Sequence, residues 1–178
     1  MNVIDSLKHL SVPDIKDYCV TNSIPASVGM INIGGDFNLS TMIRNANFFG
    51  FSSVHYVGKK KWDKRGSVGT HHYTPVYHHK DEQSFISQCS ARTIIAVENN
   101  IPEYANKTVN LFDYKFHNIS DPIFLFGEEN KGLSDTILDR ADIILSIPAY
   151  GSVRSLNVGT ASGIIMAEYR KFIQRCIP

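Results

Sequence analysis

Three short segments of the chain carry the polar side chains best suited to bind or orient a ligand. The first covers residues 38–44 and ends in Arg44, the second is the turn GEENKG at 127–132, and the third is IPAYGSVRSLN at 147–157. Arg44 lies off the apolar stripe of the helix predicted around it, so its guanidinium is free to reach a ligand. An arginine on a solvated helix surface, with no function, would have the same position in the pattern. A functional role for Arg44 is favoured only because the other two polar segments occur in the same chain.

The turn GEENKG superficially resembles a phosphate loop but lacks the residues that define one. It has no Gly-Lys-Ser/Thr ending, its two carboxylates would repel phosphate, and no GxGxxG occurs in the chain. A backbone cradle is the better use, in which Gly127 lets a ligand approach the main chain and Glu129 accepts hydrogen bonds from neighbouring loops. An acidic turn favoured by the macrodipole of the following helix explains the same residues equally well.

The segment 147–157 leads into a predicted long C-terminal helix. Ser155 is the expected N-cap of that helix, with Asn157 in its first turn. Small residues follow, and they predict close approach by another element: Gly159, Ala161, Ser162 and Gly163. Glycine inside a helix costs about 0.5–1 kcal/mol relative to alanine, so two of them need a packing reason. Packing explains the small residues but does not explain Asn157.

One dense basic run, KKKWDKR, occupies residues 59–65. It predicts a surface that grips RNA phosphates while the indole stacks on a base, and a solvated loop is the alternative. The candidate RNA-binding residues are Lys59, Lys60, Lys61, Trp62, Lys64, Arg65 and Arg154.

Histidines and cysteines do not predict a metal site. Four histidines occur in two pairs, with no cysteine or carboxylate at metal-ligand spacing: His71, His72, His78 and His79. We interpret them as surface histidines or as residues near bound RNA. The three cysteines, Cys19, Cys89 and Cys176, are far apart, which predicts free thiols in a reducing compartment.

Length and composition predict one globular domain. The chain has 178 residues, 43% hydrophobic and 20% charged, and its net charge of +1 neither demands nor excludes a nucleic-acid partner. We expect residues 1–26 to form an appendage and residues 27–178 to form the domain. Because no signal peptide or membrane-length apolar run is visible, we expect a soluble cytoplasmic protein.

Apolar strands alternate with helices along the domain. Strands are predicted at 27–35, 51–58, near 75–77, at 92–100, early in 121–134 and at 141–150. Helices are predicted at 11–23 (capped by Ser11), 38–50 (capped by Asn38 and stopped by Gly50), 81–89 and 155–176. This alternation is typical of a mostly parallel α/β sheet with helices on both faces, whose ligands bind beyond the carboxyl ends of the strands. The three polar segments should meet there if their strands are neighbours.

Three motifs in a fixed order carry a family resemblance. They are N-L-x-x-x-x-R-x-A-x-x-x-G at 38–50, L-F-G-x-E-x-x-G-L-S at 125–134 and I-P-x-x-G-S-V-x-S-L-N-V at 147–158. Together they resemble the SPOUT superfamily of methyltransferases, and specifically its TrmH (SpoU) branch of RNA ribose 2′-O-methyltransferases. The resemblance covers about residues 27–172.

The resemblance implies a C-terminal deep trefoil knot, a homodimer whose sites are each completed by the partner chain, S-adenosyl-L-methionine as methyl donor, and tRNA or rRNA as substrate. Positions matching the family's cofactor contacts are Val97, Glu98, Gly127, Ile147, Ser155 and Leu156. Positions matching its catalytic residues are Asn38, Arg44, Glu129, Ser155 and Asn157. The chain departs from related sequences at Gly34-Gly35-Asp36, Ala149-Tyr150 and Arg154, which bears on the substrate more than on the reaction.

In the implied reaction a ribose 2′-hydroxyl attacks the sulfonium methyl group in line, so the protein mainly positions the reactants and manages one proton. Arg44 is expected to hold the adjacent phosphate and stabilise the developing alkoxide, because an arginine is effectively always protonated and cannot easily act as a base. Asn157 and Ser155 are expected to orient the ribose or Arg44, and Glu129 to fix the arginine and the loops. Two alternatives are an RNA-binding pseudo-enzyme and a methyltransferase that acts on a base nitrogen.

Overall fold

The computed structural model describes residues 3–33, 37–129 and 131–176, and within them the chain forms five α-helices and seven strands. The helices are α1 (Val12–Thr21), α2 (Phe37–Phe49), α3 (Glu82–Gln88), α4 (Asp135–Arg140) and α5 (Val158–Cys176). The strands are β1 (Ile24–Ile33), β2 (Phe51–Gly58), β3 (Val76–His79), β4 (Thr93–Val97), β5 (Thr108–Asn110), β6 (Pro122–Phe126) and β7 (Ile143–Ser146). No helix in the described ranges has the length and apolar character needed to cross a membrane.

All seven strands form one parallel sheet in the order β3-β2-β1-β6-β4-β7-β5. The connection leaving β1 leads through α2 toward one edge of the sheet, whereas the connection leaving β6 leads through α4 toward the other edge. Neighbouring strands whose connections diverge open a crevice at their carboxyl ends, where ligands bind in such sheets. The predicted parallel α/β architecture is confirmed.

Helices cover both faces of the sheet because successive strand residues point to opposite sides. One face packs on α2 and α5 through Met30, Phe124 and Leu145. The opposite face packs on α3 and α4 through Ile31 and Leu125. The resulting two-sided core fixes the strand ends, and therefore the loops that leave them.

Helices α2 and α5 pack against each other through the small residues of α5. A Cβ atom added to Gly159 would lie 2.9 Å from Thr41 Cγ2, which is closer than carbon atoms normally approach. Asn45 Nδ2 donates hydrogen bonds to the Gly159 carbonyl oxygen at 3.0 Å and to Ser162 Oγ at 3.2 Å. The predicted close approach is confirmed, and the element that approaches is α2.

Two helix ends follow the predicted signals. Ser11 caps α1 in a capping box with Asp14. Gly50 has a φ of 70° immediately after α2, a left-handed conformation that glycine adopts without strain.

Two predicted helix starts are wrong. Helix α2 already includes Phe37, so Asn38 lies in its first turn and not at the N-cap. Helix α5 begins at Val158, and its cap is Asn157, whose Oδ1 accepts a hydrogen bond from Thr160 N at 3.1 Å. Ser155 lies before the helix. Serine and asparagine cap helices about equally well, so the sequence alone does not choose between two candidates this close together.

Strand boundaries also differ from the prediction. β1 begins at Ile24, three residues early, and its predicted glycine end at Gly34 and Gly35 lies outside the described residues. β4 and β7 end before 100 and 150, because Asn99 and Pro148 belong to loops that leave the sheet. The three-residue edge strand β5 is too short to show an alternating pattern and was not predicted.

Candidate active site

A cavity that opens to solvent lies beyond the carboxyl ends of β4, β6 and β7. All six positions matched to cofactor contacts line it: Val97, Glu98, Gly127, Ile147, Ser155 and Leu156. These residues lie together because their strands are consecutive in the sheet, in the order β6-β4-β7. The remaining lining residues are Asn99, Phe126, Glu128, Glu129, Gly132, Val158 and Ala161.

The Glu98 side chain holds the loop that follows β6. Its Oε2 accepts a hydrogen bond from Leu133 N at 3.1 Å, and its Oε1 accepts one from Asn99 N at 2.9 Å. A Cβ on Gly132 would lie 2.7 Å from Glu98 Oε2, so a side chain there would crowd the carboxylate. Glu98 therefore shapes the cavity wall as well as facing the cavity.

Gly127 is required by its own loop. A Cβ at Gly127 would overlap the carbonyl group of Gly132, because the main chain at these two residues is in close contact. Gly132 N donates to the Glu128 carbonyl oxygen at 2.8 Å and closes the turn. Glycine was expected at position 127 because a ligand approaches the main chain there. The structure gives a second reason for glycine, which is that the chain itself approaches closely at Gly132.

Two asparagines after β4 fix the segment that follows β7, and neither was predicted from the sequence to be functional. Asn99 Oδ1 accepts from Ile147 N at 3.1 Å and from Ser146 Oγ at 2.8 Å, while its Nδ2 donates to the Ile147 carbonyl oxygen at 3.0 Å. Asn100 Nδ2 donates to the Arg154 carbonyl oxygen at 3.2 Å. The available signal was a pair of asparagines directly after a buried strand, a position that often carries ligand loops.

Asn157 joins the three polar segments beside the cavity. Its Nδ2 donates to Asn38 Oδ1 at 2.9 Å and to Glu129 Oε1 at 2.7 Å, while its Oδ1 caps α5. Asn38 is buried, which is explained by this bond and not by the capping role expected of it. The expectation that Glu129 accepts a hydrogen bond from a neighbouring loop is confirmed.

The sequence model described as the SpoU rRNA Methylase family matches residues 25–167. The chain belongs to this family. It is 28% identical over 134 residues to the tRNA (guanosine(18)-2′-O)-methyltransferase of Borreliella burgdorferi, an alignment that covers 72% of this chain and 58% of that protein. The chain spans little more than half the length of this curated relative.

Solved structures share the fold of this SpoU family member. The crystal structure of the A. aeolicus TrmH/SpoU tRNA modifying enzyme superposes with a TM-score of 0.76 at 20% identity, over 93% of this chain and 83% of that one. An AdoMet-bound rRNA methyltransferase from Sinorhizobium meliloti superposes with a TM-score of 0.72 at 23% identity, over 88% of this chain and 59% of that one.

Arg44 does not reach the cavity of its own chain in this SpoU family member. It is exposed on α2 and lines one groove with Phe48 and Val68 and another with Leu7 of the N-terminal segment. Arg44 is absent from the described residues that line the cavity. The structure thus brings Asn38, Glu129, Ser155 and Asn157 to one place within a chain, and leaves Arg44 on another surface.

The basic run leaves β2 near the groove that contains Arg44. Its lysines are exposed, and Arg65 lines that groove while pairing with Asp63 at 2.6 Å. The hydrogen bonds from Arg65 lower the pKa of the Asp63 carboxyl to about 2. Trp62 is half-buried against the core, with the His71 ring at its edge and Lys64 Nζ 5.9 Å from the indole centroid, so part of the predicted stacking surface is covered.

The interpretation of the paired histidines as surface residues is wrong for His79. It is buried, its Nε2 lies 2.9 Å from His55 Nδ1, and its Nδ1 has no hydrogen-bond partner among the described residues. Burial lowers the pKa of His55 to about 3, and Arg92 and His79 add to the effect. No group of histidines, cysteines and carboxylates in the described part of the chain is arranged to hold a metal ion.

Proposed function

We propose that the protein is an S-adenosyl-L-methionine-dependent methyltransferase that acts on a ribose 2′-hydroxyl of tRNA or rRNA. The observation that carries the proposal is the cavity. In a member of the SpoU family, three strand ends surround one space, and Asn157, Asn38 and Glu129 are hydrogen-bonded beside it. The activities for which its relatives are named support the same reaction.

The cavity walls suit this methyl donor. Val97 and Leu156 offer apolar contact for a planar base, and Gly127 and Ile147 form part of the cavity wall. The Glu98 carboxylate is an acceptor for ligand hydroxyl groups. The methyl donor supplies a methyl group already activated by a positively charged sulfur, so the chain's own residues need mainly to position the reactants.

The side chains divide the remaining work. Arg44 binds the phosphate next to the reacting ribose and stabilises the charge that develops on its oxygen, and the proton leaves to water or to a phosphate oxygen. Both amide hydrogens of Asn157 are already donated, so Asn157 acts by holding Asn38 and Glu129 together. Ser155 is exposed and lines the cavity, which leaves its hydroxyl free to orient the ribose.

A second copy of the chain supplies Arg44 in this proposal. Since Arg44 lines grooves on the outer face of α2 and not the described cavity, the partner protomer must bring its own Arg44 to each site. The same face exposes 55% of Phe37 and 82% of Phe48, with Val68 beside them. Burying such side chains in a symmetric interface gains roughly 25 cal/mol for each Å² removed from water.

We also propose three properties expected from the sequence. The C-terminal segment forms a deep trefoil knot around the cofactor site, residues 27–178 are the catalytic domain with residues 1–26 as an appendage, and the protein works in the cytoplasm, where tRNA and ribosomes are found.

The test is a methyl-transfer assay with purified protein, labelled S-adenosylmethionine and total RNA from a strain that lacks the gene. We expect label to enter RNA and mass spectrometry to find it as a 2′-O-methyl nucleoside. Methyl groups on a base nitrogen would favour the alternative reaction, and RNA binding without transfer would favour a pseudo-enzyme.

Variants of Arg44 test its role in the same assay. Arg44→Ala should abolish methyl transfer while the Kd for the methyl donor stays within about twofold, and Arg44→Lys should recover only a small part of the rate because lysine lacks the planar fork. Arg140→Ala, on α4 and the opposite face of the sheet, is the matched control. Transfer at the native rate by Arg44→Ala would show that the role assigned to Arg44 is wrong.

A further inference from the structure

The loop 148–154 connects β7 to α5, and both of its ends are hydrogen-bonded to two consecutive residues that follow β4, Asn99 and Asn100. Asn99 bonds both main-chain groups of Ile147 just before the loop, and Asn100 bonds the Arg154 carbonyl oxygen at its end. The loop cannot swing freely as a hinged flap, because both of its ends are tied to the same short segment after β4. Side chains within it are therefore presented at a defined place.

Tyr150 projects from this loop into solvent. It is 86% exposed, more than any other large hydrophobic residue in the described part of the chain, and Val153 in the same loop is 63% exposed. Tyr150 follows Ile147 by three residues, and both Ile147 and Ser155 line the cavity. Three residues of extended chain span at most about 10 Å, so the main chain of Tyr150 lies within that distance of the cavity-lining Ile147.

The charged side chain of the loop is a cation. No carboxylate occurs in the sequence between Asp142 and Glu168, whereas Arg154 is exposed within the loop itself. An exposed aromatic ring and an exposed cation in one loop are suited to bind unpaired nucleotides, since bases stack on aromatic faces and a guanidinium binds phosphate.

We propose that Tyr150 is a stacking platform for a nucleobase beside the ribose that is methylated, with Arg154 binding an adjacent phosphate. The inference rests on the proposed function, because it concerns the RNA that enters the same site. It makes Tyr150 a specificity-determining residue: the site accepts an unstacked nucleotide, in a loop or at a strand end, and not one held within a helix.

The first experiment measures steady-state methyl transfer to total RNA from the deletion strain. Tyr150→Ala should raise the RNA concentration at half-maximal rate about tenfold, because the stacking of one base is lost. Tyr150→Trp should keep the native value, and the Kd for the methyl donor should not change in either variant. Tyr77→Ala is the matched control, since Tyr77 is 52% exposed on β3 at the far edge of the sheet.

A second experiment separates stacking from other roles of the tyrosine. Binding of a single-stranded oligoribonucleotide is compared with binding of an abasic oligomer of equal length and charge. Tyr150→Ala should weaken the first about tenfold and leave the second unchanged, whereas Arg154→Ala should weaken both alike.

The inference would be overturned if Tyr150→Ala needed the same RNA concentration as the wild type for half-maximal rate, or if it bound both oligomers more weakly by the same factor. It would also be overturned if Tyr150→Ala dissociated a protein dimer, because Tyr150 would then be an interface residue. If the wild-type protein transfers no methyl group to RNA, the proposed function fails, yet the oligomer comparison still reports whether Tyr150 stacks on bases.

Discussion

At the scale of single residues, the side chain of Asn157 makes three hydrogen bonds that different substitutions can separate. Its Oδ1 caps α5, and its Nδ2 joins Asn38 to Glu129. Asn157→Ala removes the cap and should lower the free energy of unfolding by about 1 kcal/mol. Asn157→Asp keeps the capping oxygen but places a carboxylate against the Glu129 carboxylate, so the loop after β6 should shift and methyl-donor affinity should fall at least tenfold.

The matched rescue is Asn157→Asp combined with Glu129→Gln, which restores a donor to the pair and should recover much of the affinity. Thermal unfolding and calorimetric titration with S-adenosylmethionine measure the two effects. Native affinity in Asn157→Asp alone would mean that the bridge does not shape the cavity.

Asn157 also shows how far residue types can be interpreted from sequence. Its position near a helix start and its match to a family motif marked it as functional, but the sequence could not show that it replaces Ser155 as the cap. Asn99 and Asn100 were missed because their bonds reach residues about 50 positions away, and no local pattern records such a contact.

At the scale of elements, the contact between α2 and α5 decides where two of the site segments meet. Gly159→Ala should destabilise the protein although alanine favours helix by about 1 kcal/mol, because the new Cβ would lie 2.9 Å from Thr41 Cγ2. We expect a net loss of about 1–2 kcal/mol, measured by urea unfolding.

Thr41→Ser removes the methyl group that the new Cβ would meet, so adding it to Gly159→Ala should recover part of the loss. Gly151→Ala is the neutral control, because no atom lies within 4 Å of its added Cβ. A Gly159→Ala protein as stable as the wild type would show that the two helices can separate at little cost.

Element types were well predicted because apolar periodicity and capping residues are local signals, as at Ser11 and Gly50. The carboxyl ends of β4 and β7 were less well predicted. The two strands end at Val97 and Ser146, because the residues that follow them, including Asn99 and Pro148, belong to the loops around the site. The edge strand β5 forms through pairing with β7 alone, a tertiary effect that its own three residues do not encode.

At the scale of the whole molecule, a buried polar network joins three strands. His55 on β2 faces Ser53 on its own strand, His79 on β3 and Arg92 just before β4, and Arg92 also donates to Ser27 on β1. Burial, with Arg92 and His79 next, lowers the pKa of His55 to about 3, and burial also lowers the pKa of His79.

Stability should therefore fall in mild acid. Below about pH 6.5 the unfolded chain protonates these histidines while the folded chain does not, so the stabilisation is complete above pH 6.5 and is lost as the pH falls toward 3. Each such histidine contributes a slope of at most about 1.4 kcal/mol per pH unit. Urea unfolding at pH 7.5 and pH 5 should show a drop of about 2 kcal/mol from His55 alone, and His55→Gln should flatten the profile. Equal stability at both pH values would contradict the assignment.

The separation of Arg44 from the cavity makes the proposed dimer testable by complementation. With the methyl donor well below its Kd for Asn157→Asp, Arg44→Ala and Asn157→Asp should each show little activity when expressed alone. In a mixed dimer, one site receives both defects, whereas the other receives a native Arg44 from one chain and a native Asn157 from its partner. Random pairing of equal amounts gives half mixed dimers, so co-expression should restore roughly a quarter of the native activity.

If Arg44 served the cavity of its own chain, every site in every dimer would carry one defect and no activity would return. The two arrangements thus differ in a measured rate, with sedimentation confirming that both variants still form dimers.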